Sequence, residues 1–475
     1  MISLRFGGAW APVFALAFSL CASFTPTASL AAPAAPLSTF VLLGEDGARV
    51  ARAVTSANHC PALLVDNQVS PMTVRAPAET IAQRPTRSDP ALSKPSVFDA
   101  LTCEAQIPAR ARTASIDGRS LPLPPPIIRR IVVIGDTGCR VKTADQAYQA
   151  CNDPKAYPFA QVAAAAAKWG PDLVIHVGDY LYRENPCPTD QPGCAGSPWG
   201  YGLDAWRADF LDPADPLLRA AAWAAVRGNH ESCGRAGQGW WRMIDPRPLQ
   251  PGRDCNQAAQ DGDGDYSDPY AVPLGEGAQL ILFDSSNTSG GPLPAGDVRI
   301  ARYRDTYAKI EALTRRAPHN MLADHHPILA YAAITSKNGE RVINPGNGGL
   351  QSAFGTLNPN LIPAQVDLLL SGHVHVWEAL SFSSNHPAQI VAGFSGTQED
   401  IVPLPATPPA EPPVAPGAVV AAMSSWVDGF GFMTLTRTGP AAWRAEVRDV
   451  DGLVVNTCRI DGSKLHCDKG QVSHP

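Results

Sequence analysis

Arg130-Ile-Val-Val-Ile-Gly-Asp-Thr-Gly138 is a β-branched apolar run that stops on a glycine and immediately presents a carboxylate, Asp136. The pattern returns in Leu173-Val-Ile-His-Val-Gly-Asp179, Val226-Arg-Gly-Asn-His230, Met321-Leu-Ala-Asp-His325 and Leu368-Leu-Leu-Ser-Gly-His-Val-His375. Each time a short hydrophobic run delivers a group able to bind a metal. Between the first two runs, the Ala-rich stretch 159–168 ahead of Gly170-Pro171 predicts a helix, with strands over 131–134 and 173–177 on either side. Such strand–helix alternation predicts an α/β fold with a parallel sheet, whose ligands lie at the carboxyl ends of the strands. Every donor above falls at such an end.

Further along, Gln279-Leu-Ile-Leu-Phe-Asp284 reads as another strand. Ile300, Tyr303, Tyr307, Ile310 and Leu313 recur at helical spacing, so 298–316 is an amphipathic helix whose tyrosines pack in the core. A Pro-rich loop spans 402–416, and β-rich runs at 431–437 and 443–450 are expected to complete a second sheet. Asp261-Gly-Asp-Gly-Asp265 lacks the glycine and glutamate of a calcium loop and reads as a solvated turn.

On the amino-terminal side, residues 38–125 show short β-rich runs with no helical period. They read as a small β module, sandwich-like, closed by the linker Leu121-Pro-Leu-Pro-Pro-Pro126. Residues 126–475 then form the catalytic domain. Residues 1–32 combine Arg5, an apolar stretch and small residues, the pattern of a cleaved secretory signal. The mature chain is therefore expected in the periplasm or outside the cell, with no membrane span. Of eleven cysteines, Cys21 falls in that signal. The other ten are an even count in an exported chain, which argues for disulfides. Sequence-local pairing suggests Cys60 with Cys103, Cys139 with Cys151, Cys187 with Cys194, Cys233 with Cys255, and Cys458 with Cys467. A formal net charge of -6 over 475 residues offers no long-range attraction for nucleic acid or anionic lipid. An anionic substrate must be captured locally.

Taken together, Gly135-Asp-Thr-Gly138, Gly178-Asp-Tyr-Leu-Tyr182, Gly228-Asn-His-Glu231, His325-His-Pro327 and Gly372-His-Val-His375 resemble the calcineurin-like metallophosphoesterases. Within them the set is most similar to the purple acid phosphatases. The resemblance implies a four-layer fold, two central β-sheets flanked by helices. It also implies two metal ions, Fe(III) with Fe(II), Zn(II) or Mn(II), and hydrolysis of a small phosphate ester by attack of a metal-bound hydroxide. Where most metallophosphoesterases place a histidine two residues after the first aspartate, this chain has Gly138. Tyr182 matches the tyrosine with which purple acid phosphatases fill that vacancy, and a phenolate is a hard donor suited to Fe(III).

Carried over, the resemblance implies one metal held by Asp136, Tyr182 and His375 and a second by Asn229, His325 and His373, with Asp179 bridging. Asn229 and His230 would meet the substrate, and His230 would stabilise the transferred group or protonate the leaving alkoxide. His176 reads as a core histidine and Glu231 as support for its turn. The family's additional substrate-binding histidines have no match between Pro327 and Gly372, where Lys337 and Arg341 are the cations. An acid-phosphatase-type phosphomonoesterase is the first expectation. A phosphodiesterase or nucleotide pyrophosphatase is the second, and a non-catalytic binding protein the third.

Overall fold

The computed structural model describes residues 1–12, 37–408 and 412–472. The expected signal segment lies outside the described residues from position 13 onward. Two large sheets pack face to face in the body of the chain. The first has eleven strands, with Arg130–Ile134, Leu173–His176, Ala222–Ala225 and Ser38–Leu43 parallel at its centre. The second has eight, with Ala278–Leu282, His319–Ala323, Val366–Ser371 and Ala388–Ala392 parallel.

The period-two alternation of side chains explains the layering. Ile131 and Val133 enter the core shared with Leu280, Leu370, Ile390 and Trp377 of the second sheet. Val132 and Ile134 point the other way, onto Phe159, Val162, Ala163 and Ala166 of the helix Phe159–Trp169. On the far side of the second sheet, Ile281, Leu322 and Leu369 pack against Tyr303, Tyr307 and Ile310 of the helix Val298–Thr314. The result is helix, sheet, sheet, helix. Strands covered on both faces read as uninterrupted apolar runs, which is why these elements were visible in the sequence.

Two expectations are corrected. The strand Ser38–Leu43 is buried along its whole length and pairs in parallel with Ala222–Ala225 through Leu42 and Trp223. Arg49–Thr55 and Leu101–Ile107 follow it, so these strands of the 38–125 segment extend the first sheet instead of forming a separate sandwich. A strand apolar on both faces has to lie inside a covered sheet. Ala62–Val65, Gln68–Pro71, Ala114–Ile116 and Arg119–Ser120 form a small sheet of their own, and Glu79–Ile81 pairs with Ser96–Phe98 in a two-stranded one. The carboxyl-terminal strands Gly431–Arg437 and Ala442–Asp449 likewise complete the first sheet, beside Arg130–Ile134, not the second.

All five expected disulfides are present: Cys60–Cys103, Cys139–Cys151, Cys187–Cys194, Cys233–Cys255 and Cys458–Cys467. Residues 261–264 form a short helical turn whose Asp261 pairs with Arg84, not a cation loop. No helix among the described residues is long and apolar enough to cross a membrane.

Candidate metal centre

The carboxyl ends of the parallel strands converge, and the backbone there is forced into unusual conformations to aim its donors. Asp136, Asp179 and His373 all adopt left-handed φ, at 53°, 59° and 72°. For non-glycine residues this costs roughly 1–3 kcal/mol each and is tolerated where surrounding structure over-determines it. Glu231 supplies part of that restraint. Its carboxylate accepts the backbone N–H groups of Asp179, Tyr180 and Gly228 at 3.1, 2.8 and 3.1 Å. Burial and the nearby Asp179 push the Glu231 carboxyl up to about 8.

The donors fall into two groups. In the first, the Tyr182 hydroxyl is the hub: its oxygen lies 2.9 Å from Asp136 Oδ1, 2.7 Å from Asp179 Oδ2 and 2.9 Å from His375 Nε2. His375 Nδ1 donates to the Gln398 carbonyl at 2.8 Å, which leaves the Nε2 lone pair facing the centre. Gly138 explains why a tyrosine stands here. A Cβ at 138 would sit 2.7 Å from the Tyr182 backbone nitrogen and 2.8 Å from both Asp209 Oδ2 and the Tyr180 carbonyl. The chain has closed the space a side chain at 138 would occupy, and the phenol enters from the neighbouring loop.

In the second group the hub is Asn229 Oδ1, 3.0 Å from His325 Nε2 and 3.0 Å from His373 Nδ1. His325 Nδ1 donates to the Val177 carbonyl at 2.9 Å and its Nε2 lies 3.1 Å from Asp179 Oδ2, so Asp179 reaches both groups. The turn carrying Asn229 approaches Asp179 so closely that a Cβ at Gly228 would lie 2.1 Å from Asp179 Oδ1. Asp136, Asp179 and His325 offer ligand atoms within 4.8 Å of one another, as do His325, His326 and His373. The neighbouring His326 packs its ring 4.3 Å from that of His373, with Nδ1 3.1 Å from Ser285 Oγ.

The donor chemistry fits cations. Burial, with Asp179 beside it, drives Asp136 well above the usual carboxylate range, and burial with Asp136 and Asp179 drives Tyr182 well above the usual phenol range. Burial alone opposes charge on His325, yet Asp179 and Asp136 raise it to about 10. Burial holds His373 down to about 3 and lowers His375, keeping both imidazoles neutral and able to ligate. A cluster of buried acids and neutral imidazoles is what metal ions relieve.

His230 stands beside these groups. Its backbone N–H donates to Asp179 Oδ1 at 2.8 Å, and its ring lies 3.8 Å from that of Tyr182. Nδ1 has two acceptors, the Leu181 carbonyl at 3.1 Å and Glu184 Oε1 at 3.2 Å. Arg235, unmarked in the sequence, places Nη2 within 2.7 Å of both ring nitrogens and binds Glu184, which also accepts from Tyr201 at 2.9 Å. Burial, then Arg235, hold His230 down to about 4. No periodicity or motif announced Glu184 or Arg235, because a buried ion pair between two loops leaves no pattern in either. His176 is buried, stacked 3.8 Å on Tyr180 and bonded to Thr137 at 3.0 Å, a core residue as read.

Two clefts open beside the centre. One of about 670 Å³ reaches His373 between Pro327, Ile334 and Asn347 and is mostly apolar. The other, about 890 Å³, is lined by Arg140, Lys155, Gln398 and Asp400. Neither Lys337 nor Arg341 lines either one.

Comparison with known proteins agrees with this architecture. A purple acid phosphatase isolated from yellow lupin (Lupinus luteus) seeds superposes with a TM-score of 0.54 at 15% identity, over 90% of this chain and 74% of that one. A structure of PhoD superposes with a TM-score of 0.51 at 13% identity, over 92% of this chain and 94% of that one. At such identities the likeness concerns the fold. No curated protein matches. The model of the calcineurin-like phosphoesterase family matches residues 129–377, more than half of the chain and the stretch that carries every donor described. The chain belongs to the calcineurin-like phosphoesterase family.

Proposed function

We propose that this phosphoesterase is an exported acid phosphatase of the purple acid phosphatase kind, acting on phosphomonoesters with two metal ions. The observation that carries the reading is the Tyr182 hydroxyl, within 2.9 Å of Asp136, Asp179 and His375 at the place where Gly138 leaves no room for a side chain. Asp136, Tyr182 and His375 would hold one metal, Asn229, His325 and His373 the other, and Asp179 both. Bound there, the metals would polarise phosphoryl oxygens and activate water. The anionic first set suits Fe(III); the second, with its neutral amide and imidazoles, suits Fe(II), Zn(II) or Mn(II).

The chain's own part is positioning. Asn229 and His230 flank the space a phosphoryl group would take. Arg235 and Glu184 hold the His230 ring still, with Arg235 Nη2 within 2.7 Å of both ring nitrogens, Glu184 Oε1 3.2 Å from Nδ1, and Nε2 3.8 Å from Asp179 Oδ2. With a pKa of about 4, that ring is neutral in neutral solution, so proton donation to a leaving alkoxide belongs to acid conditions. The five disulfides support export to an oxidising compartment, periplasmic or extracellular.

Metal analysis, a visible spectrum and paired assays on p-nitrophenyl phosphate and bis-p-nitrophenyl phosphate test this. A tyrosinate-to-Fe(III) band lost in Tyr182→Phe, with faster turnover of the monoester, is expected. A colourless two-zinc protein that prefers the diester would refute it. The mostly apolar cleft beside His373 is what favours the second reading, a diesterase, since it could receive an uncharged ester arm.

A further inference from the structure

Of the two clefts beside the centre, only the one of about 670 Å³ has a donor in its wall, His373. The larger, polar cleft is lined by none of the donors, and Ile334 and Asp400 line both. For a ligand whose phosphoryl group sits on the donors, the smaller cleft is therefore the adjoining space.

The wall of that cleft is apolar and fixed. Pro327, Ala330, Ala332 and Val374 line it beside His373. Ala332 and Ile334 belong to a two-stranded ribbon, Tyr331–Thr335 with Arg341–Pro345, that joins neither large sheet. The base of the ribbon is pinned: Tyr331 N donates to Glu378 Oε2 at 3.0 Å, the Tyr331 hydroxyl to the Pro412 carbonyl at 3.0 Å, and Gly346 N to the Ala330 carbonyl at 2.7 Å. Polar side chains in the wall are largely engaged already. Gln351 Nε2 donates to the Ile328 and Val414 carbonyls at 2.8 and 2.9 Å, and Asn347 Oδ1 accepts from Leu350 N and Thr288 Oγ1 at 2.8 and 3.0 Å. Asp400 Oδ2 accepts the His375 N–H at 3.0 Å. Among the described residues no lysine or arginine lines this cleft, whereas Arg140 and Lys155 line the other. An arm rich in hydroxyls would leave hydrogen bonds unmade here, and an anionic arm would meet Asp400 without a compensating cation. Ile334 is 51% exposed, apolar surface that an occupant would remove from water.

We propose that this cleft is the subsite for the organic group of the ester, and that the substrates are phosphate esters of uncharged, apolar alcohols, alkyl or aryl, in preference to sugar phosphates or nucleotides. The inference rests on the phosphoesterase reading above and names its substrate class. Ile334 is the specificity-determining residue. A concave, mostly apolar space with a few polar groups at one end, roughly 300–1,000 Å³ in size, is the usual form of a small-molecule site.

The test uses the metal-loaded full chain with Ile334→Ser and, as a control, Val342→Ser. Val342 is the cross-strand partner of Ile334 and 37% exposed, but does not line the cleft. Straight-chain alcohols leave with nearly equal acidity, so kcat/KM along ethyl, butyl and hexyl phosphate reports contact with the wall. Glycerol phosphate and AMP are compared with them. Each added methylene should raise kcat/KM by up to about fourfold, the effect of burying one CH2 group. Ile334→Ser should cost hexyl phosphate about fivefold and ethyl phosphate less than about twofold, with metal content and inorganic phosphate binding unchanged. Val342→Ser should match the parent. Binding of 1-naphthol, followed by its fluorescence, needs no turnover and should weaken in Ile334→Ser alone. A flat chain-length series, a preference for glycerol phosphate or AMP over hexyl phosphate, or equal losses in the two variants overturns the proposal. If the parent hydrolyses no ester yet binds 1-naphthol in an Ile334-dependent way, the hydrolase reading fails and the apolar subsite stands.

Discussion

The two donor groups are built on different oxygens. One is gathered around a phenol, Tyr182, with two buried carboxylates and a single imidazole; the other around an amide, Asn229, with two imidazoles. Asp179 is the member that touches both, through Tyr182 at 2.7 Å and His325 at 3.1 Å. The first group concentrates negative charge where burial resists it, so it has most to gain from a highly charged cation. The second is close to neutral and suits a divalent one. The asymmetry follows from Gly138: with no histidine at that position, a phenol stands in the first group beside His375 and brings acidity instead of a second neutral lone pair.

Breaking the shared member should have the largest effect. Asp179→Asn keeps the side-chain shape but removes the charge both groups use. It should cost the protein both metals and lower kcat/KM by about a thousandfold or more, in the range for loss of an essential charged group. Metal analysis beside the assay checks this; retention of one full metal equivalent would show that the groups are independent. Tyr182→Phe comes next, because it touches one group only. It should remove the visible absorption and one metal, leave the other metal in place, and lower kcat/KM by about a hundredfold. Loss of both metals together would make the phenol a shared element too.

Gly138→Ala separates the two groups more gently. Its methyl would meet the Tyr182 backbone at 2.7 Å, so the loop carrying the phenol has to shift while Asn229, His325 and His373 are untouched. An expected destabilisation of about 1–3 kcal/mol, as for other overpacked sites, should accompany a shifted or weakened tyrosinate band. Thermal unfolding and the spectrum measure the two together. An unperturbed band would mean that the phenol does not depend on the space Gly138 leaves.

How far the sequence reached differs between the groups for the same physical reason. Asp136, Asp179, His373 and His375 follow apolar runs buried on both faces, so strand, turn and donor were readable together. Tyr182 was readable only through what Gly138 lacks. Beyond the donors, legibility fell wherever partners lie far apart along the chain. Phe40–Leu43 has the same doubly apolar pattern as the central strands. It is followed by an antiparallel hairpin instead of a helix, and its parallel partner is Trp223, so nothing local marked it as part of the main sheet. Arg235 and Glu184 are 51 residues apart and meet only in the folded loops.

The smallest expected effect is a proton count, and it distinguishes the groups by the residue that gives up the proton. His373 and His375 are already neutral in the metal-free protein at neutral pH, because burial lowers both. His325 is not: Asp179 and Asp136 outweigh burial and raise it to about 10. Relative to an ordinary value near 6.5, that raised pKa gives the metal-free fold a stabilisation fully present below about pH 6.5 and lost as pH rises through about 10. Asp136, raised by burial, acts in the same direction. Because His325 must give up its proton to ligate, loading the Asn229 group near pH 8 should release about one proton from the imidazole. Loading the Tyr182 group should release a proton from the phenol instead. Calorimetry of Zn(II) binding in buffers of different ionisation enthalpy measures the release. The parent and Tyr182→Phe should differ by about one proton. Metal-free protein should also unfold at lower temperature at pH 10 than at pH 7, beyond any change seen in the metal-loaded form. Identical proton release in the two proteins would mean that the phenol keeps its proton, and with it the case for a charged first group would fall.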